Sequence, residues 1–279
     1  MNILLLLALF AFLSSGGVYA KDDYRNMTVN IRLWEGHVMF YGITTESDYH
    51  YDVVLPMEAF RPDDKVSTIS ISEDDYYGDH RWLKISSEKA NTLLIPIIVD
   101  RLTQGASLQV WKYTSSNETA WIMDYLRRVK KFDSLLLTHN GPETLRFLHS
   151  QVQRSHHISY ILLNGDKWPK SSITNVTKLY IKNANSNSLG FDSDPIEIEM
   201  SLLNTILEKY LSGELLYFDS IQAGKTDFTL LDSIHPNILT VRKRYATTYY
   251  NWNVSDESDI TLTVSMHGMG YTSVYVRSD

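Results

Sequence analysis

The chain contains no cysteine in its 279 residues, and this absence excludes several kinds of site. Disulfides, thiolate zinc sites, iron–sulfur clusters and cysteine nucleophiles all depend on that side chain. No apolar run approaches the length of about 20 residues that a bilayer-spanning helix needs. An excess of positive charge is also lacking, because the net charge is −7 with both signs mixed along the chain. We therefore expect no membrane span and no nucleic-acid partner.

Standard catalytic motifs are missing as well. The sequence contains no G-x-S-x-G elbow, no H-E-x-x-H, no phosphate-binding glycine loop and no G-x-G-x-x-G. We therefore predict no catalytic residue, no metal ligand and no cofactor. An enzyme stays open only as a secreted hydrolase whose acidic and histidine side chains come together in the fold.

The N-terminal residues 1–20 have the pattern of a secretory signal peptide. An apolar run from Ile3 to Leu13 is followed by small residues and the sequence Val18-Tyr19-Ala20. This pattern predicts cleavage after Ala20 and a secreted, extracellular protein, with an uncleaved anchor as the alternative. A mature chain of this length can fold without disulfides.

Four Asn-x-Ser/Thr sequons make the protein a candidate glycoprotein. They are Asn26, Asn117, Asn175 and Asn253. Each accepts a glycan if it passes through a eukaryotic secretory route and remains exposed. Asn117 and Asn253 lie in polar, loop-like runs, and we expect these two to be the better acceptors.

Residues 21–90 alternate between apolar and polar side chains, which predicts a β-rich N-terminal region. Five segments rich in β-branched and aromatic residues are separated by Gly, Pro and Asp. They read MTVNIRLW, HVMFYGIT, YHYDVVLP, VSTISIS and RWLKIS. We predict four or five antiparallel strands here.

Residues 91–245 alternate between helical and strand patterns. The first helix is predicted over NTLLIPIIVDRLTQG, with Asn91 as its cap and Gly105 at its end. ETAWIMDYLRRVKK, PETLRFLHSQVQ and IEMSLLNTILEKYLSG have apolar residues at helical spacing. The predicted strands between them include ASLQVWKY, FDSLLLTHN, ISYILLNG and ELLYFDSI.

The starts of three predicted strands, Ala106, Phe132 and Ile158, are 26 residues apart twice over. A helix–strand unit of 20 to 29 residues is typical of leucine-rich-like repeats, which stack to bury their apolar faces. FDSLLLTHN and ISYILLNGD fit the leucine pattern, VTKLYIKNA fits at a shorter spacing, and PNILTV fits loosely. An ordinary α/β sheet with two coincidentally equal spacings is the alternative.

Histidines and acidic residues also cluster, without metal-site spacing. His149, His156 and His157 lie in FLHSQVQRSHHISYILLNGDKWP, at a helix–strand junction, and a structural turn is the favoured interpretation. The acidic stretch SEDDYYGDH could supply oxygen ligands for Ca²⁺, but a solvated turn between strands is favoured. His267 lies in the glycine-containing SMHGMG, which we interpret as a turn.

Residues 246–279 predict a C-terminal β-hairpin, because DITLTVSMHGMGYTSVYVRS alternates and then turns through glycines. Aromatic residues precede it at Tyr245, Tyr249, Tyr250 and Trp252. They could form a binding surface, but packing in the core or as a cap is favoured.

Residues 118–222 resemble the F-box-associated domains expanded in nematodes. The resemblance depends on the order of features in FLHSQVQRSHHISYILLNGDKWP: an apolar helix, a polar turn, a strand, then Gly165 and Trp168-Pro169. It implies degenerate leucine-rich-like helix–strand units that act as a recruitment surface. The chain departs from that family in carrying a secretory signal and no F-box, so the resemblance implies a scaffold and no ubiquitin-ligase role.

The sequence therefore predicts a mixed α/β fold with a signal peptide (1–20), a β-rich region (21–90), a leucine-rich-like repeat region (91–245) and a C-terminal β-hairpin (246–279). The predicted function is a secreted glycoprotein that binds a protein or glycan through its repeat surface. Register places Ser134, Leu136, Tyr160 and Leu162 on that surface. A stored or structural secreted protein is the third possibility.

Overall fold

The fold is mixed α/β, as predicted from the sequence. The computed structural model describes residues 25–34, 37–46, 51–55, 60–61, 63–73, 83–111, 117–129, 132–154, 158–165, 167–183, 190–193, 199–214, 218–224, 231–253, 260–268 and 271–278. The chain divides into two compact units, Met1–Phe132 and Asp133–Asp279. The boundaries expected at residues 90 and 245 fall inside these units. The signal segment lies outside the described residues.

The first unit is a sheet with one helical crossover. Its strands are β1 (Asn26–Trp34), β2 (His37–Glu46), β3 (Tyr51–Leu55), β4 (Lys65–Ser72), β5 (Leu83–Ser86) and β6 (Leu102–Val110). The strand order is β6-β4-β1-β2-β3, and β5 also pairs with β2. Alternate residues of β1, from Met27 to Leu33, are buried, which matches the period of two in the sequence.

The five strand segments of the β-rich region are confirmed, but their expected antiparallel pairing is wrong for β4. This strand runs parallel to β1 on one side and to β6 on the other. Alternation in a sequence reports which side chains are buried and carries no information on strand direction. The chain from β4 to β6 passes through β5 and then through helical turns, which supply the crossover that parallel neighbours need.

That connection begins earlier than the sequence suggested. Helix α1 (Ser87–Lys89) is followed by a π-helical turn (Ala90–Leu94) and helix α2 (Ile95–Asp100). Its cap is Ser86, whose hydroxyl oxygen accepts a hydrogen bond from the Lys89 N–H at 3.4 Å. The predicted cap Asn91 lies inside the π turn, and the predicted closing Gly105 lies inside β6. The chain leaves the helix at Arg101, four residues before that glycine.

A partly buried ion pair joins the residue before β1 to the residue before β4. The Arg25 guanidinium donates from Nε and Nη2 to the Asp64 carboxylate, at 3.0 and 2.6 Å. The same carboxylate accepts a 2.7 Å hydrogen bond from the Arg61 backbone N–H. Because the Asp64 side chain is fully buried, these donors replace the water it has lost.

Helix α3 (Asn117–Val129) confirms the second predicted helix. Ile122, Met123 and Leu126 are buried on one side, at the spacing expected of an amphipathic helix. Its last turn carries Arg127 and Arg128, and both form ion pairs with Asp124, at 2.5 and 2.7 Å.

The second unit begins with four parallel strands joined by helices and ends with an antiparallel meander. The first part is β7 (Ser134–Thr138), α4 (Pro142–Arg154), β8 (Tyr160–Asn164), α5 (Lys170–Asn183), β9 (Gly190–Ser193), α6 (Met200–Leu211) and β10 (Phe218–Gly224). The second part is β11 (Leu239–Arg244), β12 (Thr247–Asn253), β13 (Ile260–His267) and β14 (Tyr271–Ser278). The strand order is β11-β12-β13-β14-β10-β9-β8-β7.

Among the described strands, the predicted 26-residue spacing occurs between β7 and β8 and not at the other predicted steps. The strands β7 and β8 start 26 residues apart, at Ser134 and Tyr160. VTKLYIKNA, expected to be the next strand, lies in helix α5, and the next strand is the short β9 that starts at Gly190. PNILTV is a 3₁₀ turn followed by the antiparallel strand β11. The apolar residues of α5 recur at helical spacing, and its β-branched content obscured that period.

The C-terminal hairpin is present as β13 and β14, which pair with Leu262 opposite Val276 and Val264 opposite Val274. These four side chains are buried. The indole of Trp252 on β12 is also buried, and its Nε1 donates a 3.0 Å hydrogen bond to the Ile234 carbonyl oxygen. Trp252 therefore belongs to the core, as the sequence favoured, whereas the same expectation is wrong for Tyr245, which is 95% exposed.

Candidate functional site

Strands β7 and β8 have one fully buried side and one partly open side. Leu135, Leu137 and Ile161 have no exposed surface, and Leu163 is 2% exposed. The residues that alternate with them are half-buried or exposed. The strongest contrast is Tyr160, whose exposed fraction of 39% is large for an aromatic residue within a sheet.

The buried side is the one covered by helices. The parallel strands β7, β8, β9 and β10 follow one another in the same direction across the sheet. Because crossover connections are right-handed, α4, α5 and α6 must all lie on the same face. Buried side chains on each of these helices complete that core, among them Phe147, Ile173 and Leu203. None of these three described helices lies on the other face.

The four residues that the sequence assigned to a binding surface come together on this second face. Ser134 is directly opposite Tyr160, and Leu136 is directly opposite Leu162. Neighbouring strands are about 4.8 Å apart, so the four side chains form one contiguous patch. We call Ser134, Leu136, Tyr160 and Leu162 the open face.

A hydrogen-bonded clamp holds the starts of the two strands together. The Ser159 hydroxyl donates to the Asp133 carboxylate, with 2.7 Å between Oγ and Oδ2. The Ser159 backbone N–H donates to the Asp133 carbonyl oxygen at 2.7 Å. These residues immediately precede the open-face pair Ser134 and Tyr160, so the clamp fixes the register at that end.

Helix α5 also contacts the chain at the start of β8, through a buried hydrogen bond. The Tyr180 hydroxyl donates a hydrogen bond to the Ile158 carbonyl oxygen at 3.0 Å. Burial, with a smaller contribution from the charge of Asp133, raises the pKa of Tyr180 well above its ordinary range. The phenol is therefore a neutral donor near pH 7.

The carboxyl ends of the two strands are linked by aromatic side chains. The His139 ring after β7 packs against the Trp168 ring after β8, with 5.1 Å between ring centroids. The Trp168 Nε1 donates to the Asn164 carbonyl oxygen at 3.0 Å, which closes the loop on its own strand. Each strand is followed by a glycine with positive φ, Gly141 at 118° and Gly165 at 82°. Glycine permits these turns without steric cost.

The pKa of the His139 imidazole lies below its ordinary value. Burial lowers the pKa of His139, and the nearby positive charge of Lys167 lowers it further. The neutral ring is therefore the form that packs on Trp168 near pH 7. Both ends of the open face are thus fixed, so that binding a ligand there requires little ordering of the backbone.

Only one residue of the histidine cluster lies in the described part of the chain. His149 is exposed on α4, and residues 156 and 157 lie outside the described residues. Of the acidic stretch from Ser72 to His80, only its first two residues are described. Nowhere among the described residues do three or more His, Cys, Asp or Glu side chains converge as a metal site would require.

His267 lies at the end of β13, which differs from the turn expected from its sequence. Its ring nitrogens are near two hydroxyls, with 3.3 Å from Nδ1 to Thr247 Oγ1 and 3.1 Å from Nε2 to Ser265 Oγ. A serine–histidine contact of this kind is one element of nucleophilic catalysis. Ser265, however, is only 2% exposed.

The four sequons lie in different environments. Asn26 and Asn175 are exposed, Asn117 is the first residue of α3, and Asn253 is the last residue of β12. The Asn253 side-chain oxygen is buried without a hydrogen-bond partner. The two asparagines expected in loops therefore lie at the ends of regular elements.

Sequence reasoning missed the residues that fix the open face: Asp133, Ser159, Tyr180 and His139. A signal for the first two was present. Aligning the two strands at their 26-residue spacing places Asp133 and Ser159 at the same position, one residue before each strand. Nothing local marked Tyr180, because its partner lies 22 residues earlier in the chain.

Among the described helices, none has the length and apolar character that crossing a bilayer requires. Searches against protein-family models, curated proteins and solved structures find no match to the chain.

Proposed function

We propose that the protein is a secreted glycoprotein whose open face binds a protein or glycan ligand. The observation that carries this proposal is the exposure of Tyr160, at 39%, on a strand whose alternate residues are completely buried. Exposed aromatic residues commonly become buried when a partner binds.

The chemistry of the open face suits recognition by contact. Tyr160 offers an apolar ring with a polar hydroxyl, Leu136 and Leu162 offer aliphatic surface beside it, and Ser134 offers a hydroxyl. Tyrosine combines large contact area with few rotatable bonds, so ordering it costs little conformational entropy. A sheet face with these groups fits an extended protein segment or a sugar ring.

Secretion is proposed from the first 20 residues, whose apolar run and small-residue end have the pattern of a signal peptide. The absence of cysteine is compatible with that route, because a core of this size does not depend on disulfides. The sequons at exposed Asn26 and Asn175 supply glycan acceptors.

The test is affinity capture with the mature secreted chain. The chain from Lys21 onward is immobilised and exposed both to the fluid of its native source and to a glycan array. We expect one reproducible protein or glycan ligand, and we expect Tyr160→Ala to weaken its binding by about tenfold or more. Urea unfolding of the variant verifies that the fold is kept.

Trp111→Ala is the matched control, since Trp111 has the same exposed fraction of 39% but lies in the first unit. We expect this variant to bind as the wild type does. Equal weakening by both substitutions, or no reproducible ligand for the wild type, would overturn the proposal.

A further inference from the structure

The strand order of the second unit ends in an exposed, basic strand. β11 pairs with β12 and stands last in the order of strands that the structure describes. Arg242, Lys243 and Arg244 at its end are all exposed, and Tyr245 in the following turn is 95% exposed. We call these four residues the basic edge. They lie several strands away from the open face, so the inference below goes beyond the proposed function.

The charges of the basic edge are not neutralised within the described part of the chain. No described carboxylate forms an ion pair with Arg242, Lys243 or Arg244. The other basic run of the sequence behaves differently, because Arg127 and Arg128 both pair with Asp124. These three successive cations, none of which pairs with a described carboxylate, form a locally positive surface on a chain whose net charge is −7.

Protection of a sheet edge explains the cations but not the tyrosine. Charged side chains on an edge strand prevent its pairing with other chains. Tyr245, however, occupies the left-handed region at φ 54°, in a two-residue turn between the paired Arg244 and Thr247. Glycine, asparagine and aspartate are the usual residues there, and a bulky side chain is strained by roughly 1–2 kcal/mol. Residues kept in such conformations cluster at ligand sites.

The tyrosine ring and the cations form one surface. The Arg244 guanidinium carbon lies 5.7 Å from the centre of the Tyr245 ring, within the range of a cation–π contact. Arg242 and Arg244 point to one side of the strand, with Tyr249 and Thr247 opposite them, and Lys243 points to the other side. Alternate residues of a strand are about 6.8 Å apart, so the two arginines form a short row.

We propose that the basic edge binds a linear anionic polysaccharide, one that carries sulfate or carboxylate groups. Guanidinium groups donate paired hydrogen bonds to such oxyanions, and the exposed ring of Tyr245 can stack on a sugar. The cations project from both sides of a strand edge. A flexible polymer lying along that edge reaches both sides, whereas a flat bilayer reaches only one.

The test uses heparin as the sulfated polysaccharide. The mature chain is applied to immobilised heparin, and binding is measured at several salt concentrations. We expect the triple variant Arg242→Gln, Lys243→Gln, Arg244→Gln to bind on the order of tenfold more weakly and with a shallower salt dependence. The matched control is Lys84→Gln, Lys89→Gln, Lys182→Gln, which changes the net charge equally at other exposed positions and is expected to bind as the wild type.

Tyr245→Gly separates a binding role from a structural one. Glycine relieves the strained φ, so the variant is expected to be at least as stable as the wild type in urea unfolding. Its heparin affinity is nevertheless expected to fall several-fold, because the ring is gone. Equal losses in the triple variant and its control would show that only overall charge matters, which overturns the proposal. Preference for anionic vesicles or for an acidic peptide over heparin at the same salt concentration would also overturn it.

Discussion

The hydroxyl of Tyr180 on α5 and the carbonyl oxygen of Ile158 before β8 are joined by a hydrogen bond of 3.0 Å. The bond links a helix to the start of the strand that precedes it, 22 residues earlier. It is buried, so neither partner has water as a substitute. This hydrogen bond therefore fixes the backbone close to Tyr160, which follows Ile158 by two residues.

Tyr180→Phe is expected to destabilise the fold by about 1–3 kcal/mol, because the Ile158 carbonyl would remain buried without this donor. Urea unfolding measures the change. The matched control is Tyr245→Phe, which removes a hydroxyl from a fully exposed ring and is expected to change stability by less than about 0.5 kcal/mol. Equal losses of stability in the two variants would show that the buried hydrogen bond of Tyr180 does not stabilise the fold.

Two glycines of the first unit are expected to respond to alanine in opposite directions. A Cβ at Gly42 would overlap the Phe60 ring and the Met27 methyl, so Gly42→Ala is expected to destabilise by about 1–3 kcal/mol. A Cβ at Gly105 would meet no atom within 4 Å, so Gly105→Ala is expected to be neutral or to stabilise by up to about 1 kcal/mol. Denaturant midpoints of the two variants measure this. A destabilised Gly105→Ala with an unaffected Gly42→Ala would contradict the packing described for both sites.

The free energy of unfolding is expected to decrease as the pH falls below 6.5, because of His139. Burial and then Lys167 lower the pKa of His139 below its ordinary value of 6.5. The unfolded chain therefore takes up a proton near pH 6.5 while the folded chain still resists it, and stability decreases as the pH falls from 6.5 towards the folded pKa. Replacing the histidine removes this contribution.

Unfolding of wild type and His139→Gln between pH 8 and pH 5 measures the effect. We expect the stability of the wild type to decline more steeply than that of the variant below pH 6.5. His149→Gln, at an exposed position on α4, is the control and should follow the wild type. Parallel curves for wild type and His139→Gln would contradict the assignment.

The proposed secretion and glycosylation can be tested by expressing the full chain. Expression of the full chain in eukaryotic secretory cells is expected to yield a protein in the medium that begins at Lys21. Removal of N-linked glycans should lower its mass, and Asn26→Gln and Asn175→Gln should each remove one glycan, because both asparagines are exposed. Retention of residues 1–20, or an unchanged mass in all variants, would contradict the prediction.

Much of the local structure could be predicted because local patterns determine it. Alternation located the strands of the first unit, and helical spacing located α3, α4 and α6. Two wrong predictions concern the direction of one strand and the identity of one helix. The direction of β4 depends on its neighbours, and the identity of α5 depended on separating helical spacing from β-branched composition. The positions on the open face followed from the leucine pattern, since every second residue was required for the core. The clamp of Asp133 and Ser159 could be seen only by aligning two segments.

The one-sided covering of β7 and β8 has a consequence for how the protein can change over generations. Leu135, Leu137, Ile161 and Leu163 are committed to the core, and substitutions there would be removed by selection for stability. The residues that alternate with them, Ser134, Leu136, Tyr160 and Leu162, contribute less to that core. Two adjacent positions on one strand are therefore under different constraints. Ligand preference can diverge among descendants of this chain through alternate residues while the scaffold stays the same.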